Sequence, residues 1–137
     1  MTEVKEIMKH QKFTLSPQES LIQAAEKMKE HKVGAIVVAE GDKIVGIITD
    51  RDIVVRCLAK GKDPKSARVA EVMSSPVIHC IENDSIDGIA RRMAAERLQR
   101  LPVLDHHLKL SGIVSVRELC VVDNAKGGEV IAKITQS

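Results

Sequence analysis

The residues best suited to chemistry stand in "GIITDRD" at 46–52, where Thr49 and Asp52 are separated by two positions. That spacing fits two jobs. In a helix cap, the Thr oxygen accepts from the third backbone N–H while the acid reaches back to the N–H of the Thr. In a sugar-phosphate site, the carboxylate offers two acceptor oxygens to a cis-diol, and the helix start offers N–H groups and partial positive charge to the phosphate. The spacing leaves both open. Gly46 is expected to keep the strand backbone approachable, since nothing larger shields it.

Other reactive side chains give weaker patterns. His106 and His107 fall in an expected hairpin turn, and His79 and Cys80 are adjacent in an expected strand, so they face opposite ways and do not chelate one metal. No metal site is expected. No Ser/His/Asp or Cys/His set is discernible from spacing, so no catalytic residue is assigned and the chain is read as a non-enzyme. Cys57, Cys80 and Cys120 are odd in number and widely spaced, which reads as reduced, buried thiols.

Bulk composition narrows the classes further. The 137 residues, 44% hydrophobic, allow one compact unit or two small lobes. No run approaches the roughly 18 apolar residues of a membrane span, and the charged start "MTEVKEIMKH" lacks a signal peptide's apolar stretch, so a cytoplasmic location is expected. A net charge of +2 without a basic stripe, and one Phe with no Tyr or Trp, argue against nucleic acid as a partner. A flat ligand would therefore lie against aliphatic side chains.

The elements that must position Thr49 and Asp52 occur twice. Sliding the chain by 65 positions pairs Val4 with Val69, Met8 with Met73, Ser20 with Ser85, Leu21 with Ile86, Ala25 with Ala90 and Met28 with Met93. One inserted residue later, Gly46 meets Gly112, Thr49 meets Ser115, Arg51 meets Arg117 and Asp52 meets Glu118. Leu21, Ala24, Ala25 and Met28, like Ile86, Ile89, Ala90 and Met93, recur at helical spacing. Two apolar runs joined by a turn follow each helix and read as hairpins, and a second helix follows each hairpin, at about 52–59 and 117–122. Short strands should precede the first helices, in "KFTL" and "VIHC".

The expected fold is therefore α/β (α+β): two pseudo-symmetric motifs, each strand-helix-strand-strand-helix, packed sheet against sheet because a single copy buries too little. The expected boundaries are 1–60 for the first motif, 61–68 for a solvated linker, 69–122 for the second motif and 123–137 for a tail that is strand, helix or frayed end.

"VKEIM" and "VAEVM", "HKVGAIVV" and "RLQRLPVL", and then "GIITDRDI" and "GIVSVREL", together resemble a pair of cystathionine β-synthase (CBS) domains over about 4–122. The chain also looks like the small stand-alone proteins made of little except such a pair. The resemblance implies a regulatory module for energy or redox sensing that dimerises with itself and binds adenosine-containing ligands in clefts between its two sheets. AMP, ADP, ATP or NAD are expected ahead of S-adenosylmethionine, no cofactor is required, and the regulated partner protein is unknown.

The family's G-h-x-[ST]-x-x-[DN] signature falls on Gly46, Thr49 and Asp52. By the same resemblance, Asp52 accepts from ribose hydroxyls and Thr49 contacts phosphate, while Phe13, Val33, Gly34 and Ile47 flank the adenine. The second copy gives Ile78, Leu98, Gln99, Ile113 and Ser115, with Arg100 where related motifs place a basic residue against phosphate. Glu118 is longer than the Asp that the ribose position favours, and Ser115-x-x-Glu118 is the capping-box sequence itself, so the two sites are expected to be unequal. The alternative is a ligand-free scaffold in which these residues only cap helices.

Overall fold

The computed structural model describes residues 1–135 and shows a mixed α/β protein with two three-stranded sheets and six helices. Each copy follows the same order. In the first, β1 (Thr14–Leu15) leads to α1 (Leu21–His31), the hairpin β2 (Ala35–Glu40) and β3 (Lys43–Thr49), and α2 (Asp50–Asp52). α2 continues as a π turn over Ile53–Cys57 and a 3-10 turn over Leu58–Lys60. After a short helix α3 (Val69–Val72), the second copy runs through β4 (Cys80–Ile81), α4 (Ile86–Glu96), β5 (Arg100–Leu104), β6 (Leu110–Ser115) and α5 (Val116–Val122). In both sheets the short strand pairs parallel to the first hairpin strand, and the hairpin is antiparallel.

Local chemistry sets the limits of these elements. Ser20 and Ser85 cap α1 and α4, accepting from Gln23 N–H at 3.2 Å and Gly88 N–H at 3.0 Å. Both helices end on a left-handed residue, Lys32 or Arg97 (φ 55° in each), whose N–H turns back to the last carbonyls. The next N–H, of Val33 or Leu98, reaches Met28 O or Met93 O, which aims the chain into the following strand.

The compact units cut across the sequence copies. One contains 13–77; the other joins 1–12 to 78–137. The opening segment, with a 3-10 turn at Val4–Glu6, docks on the second copy: Val4 N–H donates to Asp84 O (2.8 Å), and Lys9 exchanges two bonds with Ile113. The matching segment around α3 docks on the first copy, with Val69 N–H on Glu19 O (2.9 Å) and Ser74 paired to Ile47. The expected boundaries describe the repeat in the sequence; the packed units regroup it. The stretch 61–68, expected to be a solvated connection, contains a buried Ala67 whose carbonyl accepts from Leu21 N–H.

Each unit has its own core. Leu15, Leu21, Met28, Ile36, Ile48, Cys57 and Val72 fill one; Val4, Ile89, Met93, Leu101, Val114 and Leu119 fill the other. The tail resolves into α6 (Asn124–Thr135), a helix on α4 and α5 that adds Val130 to the second core. Residues 136 and 137 of that tail lie outside the described residues. α6 explains one departure from the expected pattern. Ala90 is buried on α4 in the core that Val130 shares, whereas Ala25, on the same helical face of α1, is exposed because no counterpart of α6 packs there.

Candidate functional site

Thr49 ends β3 opposite Ala35 and begins α2. Its hydroxyl oxygen accepts from Asp52 N–H (3.2 Å), and its own N–H donates to Asp52 Oδ2 (2.8 Å). The cap is complete. Asp50 N–H donates to Gly34 O (2.9 Å), so Gly34, Thr49 and Asp52 meet in one hydrogen-bonded corner. Asp52 is part-buried, with Arg56 Nε 3.8 Å from Oδ1, yet a carboxylate bonded this way still has lone pairs to offer. The Thr49 hydroxyl proton has no acceptor among the described residues.

The helix start offers less than expected. Asp50 N–H is held by Gly34, Arg51 N–H by Asp50 Oδ1 (2.8 Å) and Asp52 N–H by Thr49, so no first-turn N–H remains for a phosphate. The two acids of that turn also offset the positive end of the helix. Side chains alone are left to recognise an anion.

In the second copy Ser115 N–H donates to Glu118 Oε1 (2.7 Å), and the Ser115 hydroxyl donates to the same oxygen (2.8 Å) while accepting from Arg117 N–H (3.2 Å). That hydroxyl's proton is used, unlike that of Thr49. Val116 N–H donates to Gln99 O (2.9 Å), reproducing the Asp50–Gly34 bond. Arg100 lies directly across the hairpin from Ser115, half-buried and without a hydrogen bond or ion pair to any described residue. Gln99, Arg100 and Ser115 therefore form the second corner, with Leu98 just before them.

The remaining sequence candidates are more occupied. Phe13 is stacked on His31, with ring centroids 4.0 Å apart, and Lys27 Nζ stands 5.8 Å over its ring. Val33 and Ile78 pack against their units' cores. Ile47 spends its N–H and carbonyl on Ser74, and Ile113, 5% exposed, spends its own on Lys9. These five side chains are apolar, so any part they play at the corners is packing and not hydrogen bonding.

Gly46 corrects the sequence reading. A Cβ there would stand 2.5 Å from Met73 Sδ and 2.9 Å from Ser74 O; at Gly112 it would collide with Lys9 O. The glycines make room for the docked segments, and the close approach is to the chain itself. Asp50 is the residue that sequence reasoning missed. Its Oδ2 lies 3.0 Å from where a Gly34 Cβ would be, so its carboxylate borders the first corner. The repeat alignment carried the signal, since Asp50 stands where the second copy has Val116.

Among the described residues no group of three or more His, Cys, Asp or Glu is placed to hold a metal ion, and no helix is long and apolar enough to cross a membrane. Burial pushes the Cys80 thiol up to about 12, so it stays protonated and a poor nucleophile at neutral pH.

Residues 4–58 and 69–124 each match the model of the CBS domain. The chain is 37% identical over 137 residues to the CBS domain-containing protein YhcV of Bacillus subtilis, covering 98% of this chain and 96% of that one. The crystal structure of Hypoxic Response Protein I, which holds two coordinated zinc ions, superposes with a TM-score of 0.74 at 32% identity over 89% of this chain and 99% of that one. The CBS domain pair of protein MJ0100, in complex with 5′-methylthioadenosine and S-adenosyl-L-methionine, gives 0.78 at 28% identity over 91% and 98%.

Proposed function

The chain belongs to the CBS domain family, and we propose that it is a regulatory module whose two motifs bind adenosine-containing ligands and pass their occupancy to a partner protein. The observation that carries the reading is the first corner. Thr49 and Asp52 complete their cap, yet the Thr49 hydroxyl proton and part of the Asp52 carboxylate stay free, side by side, at the end of a strand. A ribose needs acceptors for its diol, and Asp52 supplies them. The adenosyl ligands of the MJ0100 pair support the ligand class.

The module is proposed to act as a homodimer. Val54, Val55 and Leu58 after α2, and Val121 and Val122 on α5, are exposed apolar side chains that a second copy would cover. The proposed output is binding, as the match of both motifs to the CBS domain supports.

One observation favours a ligand-free scaffold instead. Both signatures form complete capping boxes, so their residues have a structural job in either case. Asp52→Asn separates the readings, because the amide oxygen can still accept from Thr49 N–H while the charged acceptor for a diol is lost. Isothermal titration with AMP, ATP, NAD and S-adenosylmethionine is expected to show adenine-ligand binding that weakens by about tenfold or more in the variant, the loss of a hydrogen bond to a charged group. With no Trp or Tyr in the chain, absorbance near 260 nm that survives removal of nucleic acid reports co-purified ligand directly. Unchanged affinity in Asp52→Asn would remove Asp52 from the site, and the absence of any adenine ligand would leave the scaffold.

A further inference from the structure

The Gly34–Asp50 corner and the Gln99–Val116 corner occupy the same place in the two copies, each closed by the same backbone hydrogen bond. Their charges are opposite. The first corner has the Asp50 carboxylate against Gly34 and a small, buried Ala35 across from Thr49. The second has uncharged Val116 and, in place of Ala35, the half-buried Arg100 across from Ser115. The first corner carries a carboxylate where the second has Val116, and the second carries a guanidinium where the first has Ala35.

Neighbouring groups reinforce the contrast. Asp52 brings a second carboxylate to the first corner, and its nearest cation, Arg56, is 3.8 Å away and turns its Nη1 to Val72 O. Arg51 is exposed, and Asp50 makes no ion pair with any described residue. An anion brought to the Thr49 hydroxyl would meet two carboxylates and no free N–H. In the second corner the same anion meets Arg100, while the acid there, Glu118, already takes two hydrogen bonds from Ser115 on one oxygen. Asp50 is exposed and Arg100 half-buried, so the contrast acts at short range and is strongest at low ionic strength.

We propose that the two motifs select different adenosine ligands: the first takes an adenosyl compound whose 5′ substituent is neutral or cationic, with Asp50 as the residue that rejects phosphate, and the second takes a phosphate-bearing one through Arg100. The proposal rests on the nucleotide-binding reading above and deepens it. It makes the chain a sensor of two chemically distinct adenosine pools.

Isothermal titration of AMP and S-adenosylmethionine into the full chain, its Asp50→Asn and Arg100→Gln variants, tests it. In the wild type each ligand is expected to fill one site, and S-adenosylmethionine is expected to titrate normally into AMP-saturated protein. Arg100→Gln should weaken AMP about tenfold or more, the scale of a charge-assisted contact to phosphate. Asp50→Asn should weaken S-adenosylmethionine and open a second AMP site. Mutual displacement of the two ligands in the wild type, or an unaltered AMP affinity in Arg100→Gln, or an unaltered preference in Asp50→Asn, overturns the assignment while leaving nucleotide binding in place. Failure of both probes to bind the wild type overturns nucleotide binding and this proposal together.

Discussion

Replacing Gly112 by Ala tests what the signature glycine is for. In an ordinary strand the change would gain roughly 0.5–1 kcal/mol, because Ala loses less backbone freedom than Gly. Here the new Cβ would collide with Lys9 O and stand 3.1 Å from Met8 Sδ and 3.2 Å from Lys9 C. Overpacking of this kind costs about 1–3 kcal/mol. Relief by moving Lys9 outward sacrifices its two bonds with Ile113, at 2.9 and 3.0 Å, each worth about 1 kcal/mol. By either route, less the backbone gain, the net expectation is a loss of about 1–2 kcal/mol, or roughly 5 °C in melting temperature for a chain this size. Gly46→Ala should cost less, since the nearest atom there is the flexible end of Met73 and only Ser74 O is rigid. Circular-dichroism melts of both variants, with amide exchange at Ile113 and Ile47, read the two effects. The reasoning fails if Gly112→Ala keeps the wild-type melting temperature and Ile113 protection. It fails in an informative way if the same variant loses adenine-ligand affinity instead, because the glycine would then serve ligand access.

Two further predictions concern α6. Its adjacent glycines should respond with opposite sign: Gly128→Ala meets nothing within 4 Å and should stabilise by roughly 0.5–1 kcal/mol, while at Gly127 the Cβ would collide with Cys120 Sγ and stand 2.9 Å from that residue's backbone, so Ala there should lower the melting temperature. Equal stabilisation by both would refute the close α5–α6 approach. The ion pair of Lys126 with Asp87 ties α6 to α4, and its hydrogen bond holds the Asp87 carboxyl below the ordinary value of 3.8. A folded-state pKa below the unfolded one contributes stability above the ordinary value that is lost as pH falls through the lowered one. The wild type should therefore show an acid-dependent loosening of α6 below that range, seen as faster amide exchange at Val130, that Lys126→Ala largely abolishes; an identical pH profile in the variant would count against the tie.

The repeat made most of this architecture legible. Leu21, Ala24 and Met28, and Ile86, Ile89, Ala90 and Met93, keep helical spacing because each set must reach its own core, and that requirement writes the same pattern twice. Strands β2, β3, β5 and β6 were legible for the same reason. The tail was not, because two glycines weaken a helix signal whose justification, the close pass over Cys120, lies in another element. At the site, the sequence named Thr49, Asp52 and Arg100 but not the saturation of the first-turn N–H groups. The Gly34 carbonyl reaches Asp50 N–H because of where a loop passes, which no local spacing encodes, and Asp50 Oδ1 then takes the neighbouring Arg51 N–H.

The exchange of the docking segments was illegible for a deeper reason. "VKEIM" and "VAEVM" are equivalent by pattern, so each could serve either hairpin, and chain entropy favours the nearer one. Pairing Lys9 with Ile113, far along the chain, instead of with Ile47 costs only about 1 kcal/mol more in loop closure, because that cost grows with the logarithm of length. A penalty so small is outweighed by a few packed side chains, and Val4 and Met8 are buried in the second unit's core. The consequence reaches the candidate sites. The strand that carries Thr49 is flanked by the segment at 69–74, and the strand that carries Ser115 by the segment at 4–9, so each corner is held in place by residues that the sequence assigns to the other copy. A change in either docking segment would therefore act on the opposite motif's candidate corner, a coupling that belongs to the chain connectivity itself.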